Sequence, residues 1–123
     1  MSTAITDPSF STPGTLVYEV NLSLPTELAN DYLEWLKEFT RKQCERIDGF
    51  EDSRIFRQTR KPAGLHWLSE EGGSKVYFTV HYVIQSREHL EAYLNNEQPK
   101  LAEAEKNKFQ YLVTSRRVLE VLQ

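Results

Sequence analysis

The stretch KVYFTVHYVIQSREHLEAYL, Lys75 to Leu94, decides how this chain is read. Its first half alternates: Val76, Phe78, Val80, Tyr82 and Ile84 share one face, and Tyr77, Thr79, His81 and Val83 share the other. A period of two is the mark of a strand. At Gln85–Ser86 the period changes to 3.6, and Leu90, Tyr93 and Leu94 begin a helical stripe. Ser86 suits the N-cap, where its hydroxyl can accept a backbone N–H of the first turn, and Glu88 suits the helix dipole. One face of the strand is wholly apolar, so it belongs in a core. The other carries a histidine, a threonine and a tyrosine, and it poses the functional question.

Working outward, the same alternation appears from Thr15, with Leu16, Tyr18, Val20 and Leu22 on one face and Val17, Glu19 and Asn21 on the other. Pro25 fits the first turn of a helix, where its missing N–H costs nothing. Leu28, Tyr32, Trp35, Leu36, Phe39 and Ile47 then form a stripe suited to lying on a sheet. Asp48–Gly49 ends that helix, with Gly49 free to take the left-handed conformation. A second strand follows over Phe50–Gln58, basic at its far end through Arg54, Arg57, Arg60 and Lys61. Leu65-His66-Trp67-Leu68 resumes pairing after a bulge, and Glu71 to Ser74 turns the chain into the strand first quoted. Pro99 interrupts the second helix and predicts a restart, with Leu101 and Ala104 facing the core. Phe109–Leu122 reads as a last strand with a bend within Thr114–Arg117.

The order β-α-β-β-α-β predicts an α+β, ferredoxin-like fold: a four-stranded antiparallel sheet, both helices on one face, first and third strands central. Residues 1–14, rich in Ser, Thr and Pro, read as a mobile arm, and 15–123 as a single domain. The formal charge of −3 gives no general attraction to nucleic acid or anionic membranes. No apolar run is long enough to span a bilayer, and the first residues lack the basic start and apolar core of a secretory signal. Cys44, the single cysteine, rules out an intrachain disulfide, so a reducing cytoplasm is the expected location.

The face opposite the helices is too apolar to be merely solvated and too polar to be a dry core. Val17, Glu19 and Asn21 meet Tyr77, Thr79, His81 and Val83 there, and Arg116, Val118 and Glu120 are expected to join them from the last strand, whose ambiguous register leaves open which of Arg116 and Arg117 faces in. The blocks YEVNLSL, DYLEWL, GFEDSRIFR, VYFTVHYVIQSREHLEAYL and SRRVLEVL resemble a family of small bacterial-type proteins of unknown function. That family is placed in the dimeric α/β-barrel superfamily, beside the antibiotic-biosynthesis-monooxygenase-like proteins. The resemblance spans residues 15–122 and implies a homodimer in which two sheets pack open face to open face. It brings no established activity. Haem-degrading members of the superfamily share an Asn on the first strand, a Trp late on the third and a nearby His; here Asn21 fits, but Ile84 stands where the Trp would.

The sharpest candidate pair is His81 with Glu19, because a carboxylate beside an imidazole fixes its tautomer and raises its basicity. The plainer reading of the same pair is a polar contact buried at a dimer interface. On the catalytic reading His81 is the base, Glu19 orients it, and Asn21 or Arg116 holds a developing oxyanion. Tyr77, Thr79 and Trp67 complete the expected substrate-binding wall. Trp67 has three possible places: over the barrel mouth, on the partner subunit, or on its own core. His66, His81 and His89 lack metal-ligand spacing, so no metal is expected, and a single-histidine haem site is disfavoured. No cofactor is expected. The third strand lacks the glycine-framed aromatic motif of RNA-recognition domains, and Ser23-Leu24-Pro25-Thr26 is not the anion loop of an acylphosphatase. The expected protein is a cytoplasmic homodimer binding a small, partly apolar molecule, with cofactor-independent proton transfer or oxygenation. A non-catalytic dimerisation or interaction module is the alternative.

Overall fold

The structure, a computed structural model, describes residues 13–58, 75–100 and 113–123. Strand β1 (Leu16–Pro25) is followed by a 3-10 turn (Thr26–Leu28) and helix α1 (Ala29–Arg46). Strands β2 (Phe50–Arg57) and β3 (Lys75–Ile84), helix α2 (Arg87–Ala92) and strand β4 (Val113–Glu120) complete the order. The four strands form one antiparallel sheet in the order β2-β3-β1-β4, the α+β ferredoxin-like arrangement, with the first and third strands central as expected.

The alternation read from the sequence places the core. Leu16, Tyr18, Val20, Leu22, Phe78, Val80, Tyr82 and Ile84 are buried in one cluster with Ala29 and Leu36 of α1 and Leu90 of α2. At about 25 cal/mol per Å2 of apolar surface, each such side chain stabilises the fold by roughly 1.5–3 kcal/mol. Of the expected stripe, Leu36 and Ile47 are buried and Tyr32, Trp35 and Phe39 pack against the core. Thr40 and Gln43 are buried, whereas Leu28 is 53% exposed because it lies in the 3-10 turn before the helix proper. Gln43 earns its interior place by accepting a hydrogen bond from the Tyr82 hydroxyl. Pro25 ends β1 instead of opening the helix, its backbone extended at φ −60° and ψ 144°.

Two turns bind α1–β2 to β3–α2. Gly49 has φ +90°, and a Cβ there would lie 2.4 Å from His89. The Gln85 N–H donates to the Gly49 carbonyl at 2.8 Å. Ser86 caps α2 as expected, its hydroxyl accepting from the His89 N–H at 3.2 Å and lying 2.7 Å from His89 Nδ1. The expected break at Pro99 takes another form. The helix continues past α2 through a widened turn, Tyr93–Glu97, where the Gln98 N–H reaches the Tyr93 carbonyl. Such π-type turns absorb a residue that cannot make the regular bond, and residues 98–100, Pro99 included, remain helical. Leu101, Ala104 and the Leu65–Leu68 segment with Trp67 lie outside the described residues, as do Arg60 and Lys61. So do residues 1–12 of the expected arm.

The bend foreseen near Thr114 is a bulge. Asn21 pairs with Ser115 but Leu22 with Val113, so Thr114 is the extra residue. Beyond it the register is Glu19 with Arg117, Val17 with Leu119, and Val20 with Arg116. The expectation that Arg116, Val118 and Glu120 share the face of Glu19 is therefore corrected. They share the face of Leu16, Tyr18 and Val20, and Ser115, Arg117 and Leu119 take the other side. Arg116 accordingly acts on a helix-side group: burial raises the Tyr18 phenol, and the charge and hydrogen bond of Arg116 oppose it.

A carboxylate shared by histidine and arginine

On the sheet face away from the helices, direct strand pairs set Glu19 opposite His81, Asn21 opposite Thr79 and Ser23 opposite Tyr77. The edge strand β2 adds Arg54 opposite His81 and Phe56 opposite Thr79. Four of the expected site residues, Glu19, His81, Asn21 and Thr79, form one hydrogen-bonded cluster. His81 Nε2 lies 2.8 Å from Glu19 Oε1. Arg117 Nε donates to Glu19 Oε2 at 2.7 Å, and Asn21 Nδ2 donates to the same oxygen at 2.9 Å. Asn21 Nδ2 also donates to Ser115 Oγ at 3.1 Å, while its Oδ1 accepts from Thr79 Oγ1 at 2.6 Å.

The Glu19 side chain is 7% exposed, whereas that of Arg117 is 66% exposed. Burial alone would raise the Glu19 carboxyl. Hydrogen bonds from Arg117, Asn21 and His81, with the charge of Arg117, outweigh it and bring the group down to about 2. Glu19 is thus ionised at neutral pH and can only accept, which puts a proton on His81 Nε2. In the neutral imidazole the lone pair then sits on Nδ1, directed away from the carboxylate. Both hydrogens of the Asn21 amide are committed, to Glu19 and to Ser115. Asn21 therefore orders the cluster instead of offering a donor to a bound oxyanion. Arg116, the other expected oxyanion donor, lies on the opposite face.

Sequence reading missed Ser115 and Phe56 and left Arg117 open against Arg116. Ser115 and Arg117 were hidden by the bulge, and Phe56 by the uneven alternation of β2. The Phe56 ring stands edge-on to His81, with centroids 5.0 Å apart, and is 42% exposed. Tyr77 lies on this face by register, and Trp67 is outside the described residues. The face is not uniformly open, since the directly paired Val17 and Val83 are 4% and 1% exposed although they lie outside the helix-side core. A buried apolar end therefore adjoins a polar centre whose His81 side chain is 22% exposed.

Away from this face, an open cleft of about 540 Å3 lies between α1 and β2, lined by Lys37, Thr40, Cys44, Asp52, Ser53 and Ile55 among others. Burial pushes the Cys44 thiol up, so it carries little thiolate. Among the described residues no group of three or more His, Cys, Asp or Glu side chains could hold a metal ion. No helix among them is long and apolar enough to cross a membrane.

The family model described as Domain of unknown function (DUF4286) matches residues 15–122. No curated protein matches the chain. An ethyl tert-butyl ether D (EthD) family protein from Bacillus halodurans has a similar structure, with 19% identity, a TM-score of 0.58, and 86% of this chain and 97% of that one covered. A dimeric ferredoxin-like protein of unknown function from Thermobifida fusca gives 13% identity and a TM-score of 0.50, over 94% and 97%. A putative antibiotic biosynthesis monooxygenase from Nitrosomonas europaea gives 12% and 0.51, over 90% and 91%. At these identities the likeness is one of fold.

Proposed function

This chain belongs to the family described as Domain of unknown function (DUF4286), and from that premise we propose a cytoplasmic homodimer whose open sheet faces meet around a small-molecule site. The observation that carries the reading is the ionised Glu19 carboxylate, 7% exposed and shared between His81 and Arg117 on a face that exposes Phe56 and buries Val17 and Val83 beside it. A charge held out of water with this many donors is costly to arrange, and sites that move protons use such arrangements. The ligand is small and partly apolar. The chemistry is cofactor-independent proton transfer or oxygenation, with His81 Nδ1 as base and Glu19 orienting the ring. Tyr77 and Thr79 belong to the substrate wall in this proposal, and residues 15–123 act as one domain. The dimeric assembly of the Thermobifida fusca protein supports the pairing by analogy of fold.

A second reading has its own support. Asn21 and Thr79 find hydrogen-bond partners within one subunit, as polar groups must when another protein surface covers them. That reading is a non-catalytic dimerisation module. Small-angle scattering at micromolar concentration tests the assembly: the expected mass is twice 14.4 kDa, and a monomer would remove both readings. Titrating 15N-labelled protein with 4-nitrophenol, as a phenol probe, separates them. Shifts at Thr79, His81 and Arg117 support the ligand site; a dimer whose open face does not respond supports the module.

A further inference from the structure

Glu19 has one negative charge and two nitrogenous partners of different kinds. Arg117 is permanently cationic and reaches Oε2 through Nε; His81 reaches Oε1 through Nε2 and can be neutral or charged. Were His81 the only basic partner, a buried carboxylate would draw a proton onto the ring and make an imidazolium–carboxylate pair. A ring already protonated on both nitrogens is no base. The guanidinium changes that balance, because the one negative charge is already matched.

We propose that Arg117 is a positioning residue of the His81 site, neutralising Glu19 so that the carboxylate aligns the imidazole while its Nδ1 remains an available base. This rests on the reading of His81 as the base. The geometry supports it at each link. Glu19 divides its two oxygens between the partners, Asn21 steadies the oxygen that Arg117 uses, and Ser115 and Thr79 hold Asn21. The bulge at Thr114 brings Arg117 to this face. Among the described residues, the charged or titratable groups on the face of His81 by register are Glu19 on β1, Arg54 and Asp52 on β2, Tyr77 on β3 and Arg117 on β4. Arg54 and Asp52 carry one charge of each sign; Glu19 holds the ring at 2.8 Å, and Arg117 meets the charge of Glu19 at 2.7 Å.

The arrangement also selects a class of substrate. A site whose charges already cancel takes an uncharged proton donor, such as a phenol or a 1,3-dicarbonyl compound, in preference to a carboxylate. On proton transfer the O–H or C–H bond of that molecule breaks and an N–H bond forms at Nδ1. The electron pair stays on the ligand as phenolate or enolate, and the new imidazolium faces Glu19.

The test is an NMR titration of the His81 ring in the full chain without ligand. R117Q removes a positive charge several ångströms from the ring, and the pH at which His81 takes up its second proton is expected to rise by roughly one unit, about tenfold in the proportion of free base. R117K keeps the charge and stays within about 0.3 of the parent, as does R116Q, whose side chain lies on the other face. An unchanged or lowered midpoint in R117Q overturns the proposal, and so does a rise in R116Q as large as that in R117Q. R117S serves as a second neutral replacement should R117Q fail to fold. The readout requires neither ligand nor turnover, so failure of the phenol probe to bind leaves this result to stand or fall separately.

Discussion

Replacing Glu19 with Gln keeps the shape of the side chain and removes the charge on which the cluster depends. In the folded chain the carboxyl lies below its ordinary 4.5, at about 2, because hydrogen bonds from Arg117, Asn21 and His81 outweigh the opposing effect of burial. A group whose value is depressed on folding stabilises the fold above its unfolded value and loses that contribution as pH falls through the folded one. The span from 4.5 to about 2 corresponds to about 3 kcal/mol. Arg117 is two-thirds exposed, and solvent screening of its charge reduces the working figure to about 2 kcal/mol. Urea unfolding at fixed protein concentration, at pH 7, 4 and 2.5, should find E19Q less stable than the parent by about 2 kcal/mol at pH 7. The gap should shrink below pH 4.5 and fall to roughly a quarter of its pH 7 size at pH 2.5, which is still above the folded value. A gap that is the same at all three values would refute the argument, since it would then owe nothing to the ionised carboxylate.

Three further outcomes are expected. Gly49→Ala combines a positive φ with a Cβ 2.4 Å from His89, and should cost about 2 kcal/mol, seen as a thermal midpoint several degrees lower. Gln43→Leu strands the buried Tyr82 hydroxyl and should cost about 1–3 kcal/mol in chemical denaturation. Adding Tyr82→Phe should recover much of that loss, because both partners are then apolar. Ser86→Ala removes the α2 cap and should cost about 1 kcal/mol by the same measurement, with Ser86→Asp retaining most of the stability.

The central half of the sheet was legible because β1 and β3 alternate without interruption, and their parity alone puts Glu19 and His81 on one face. Antiparallel pairing then sets them directly opposite. The last strand was not legible in the same way. Val118 and Leu119 are adjacent apolar residues of opposite parity, as are Arg116 and Arg117 among the basic ones, so no face stands out. The bulge that decides between them depends on pairing with β1, nearly a hundred residues away in the chain. Gln43 was hidden for a related reason: a polar residue on a helical stripe reads as surface until the Tyr82 hydroxyl that donates to its Oε1 is brought alongside. At Pro99 the sequence marks a lost hydrogen bond, and both a break and a widened turn accommodate it.

The bulge at Thr114 has a consequence for the order in which this sheet can mature. The partners of Glu19 come from two, 62 and 98 residues along the chain, and the permanent cation is the most distant. While β1 and β3 are paired and β4 is still free, drying the carboxylate is opposed by its hydration, with only a histidine and an amide to replace the lost water. The last strand brings the missing charge, and pairing it closes a long loop at an entropic cost. The charge of Glu19 is thus met by its permanent cation only in the register of β4 that presents Arg117.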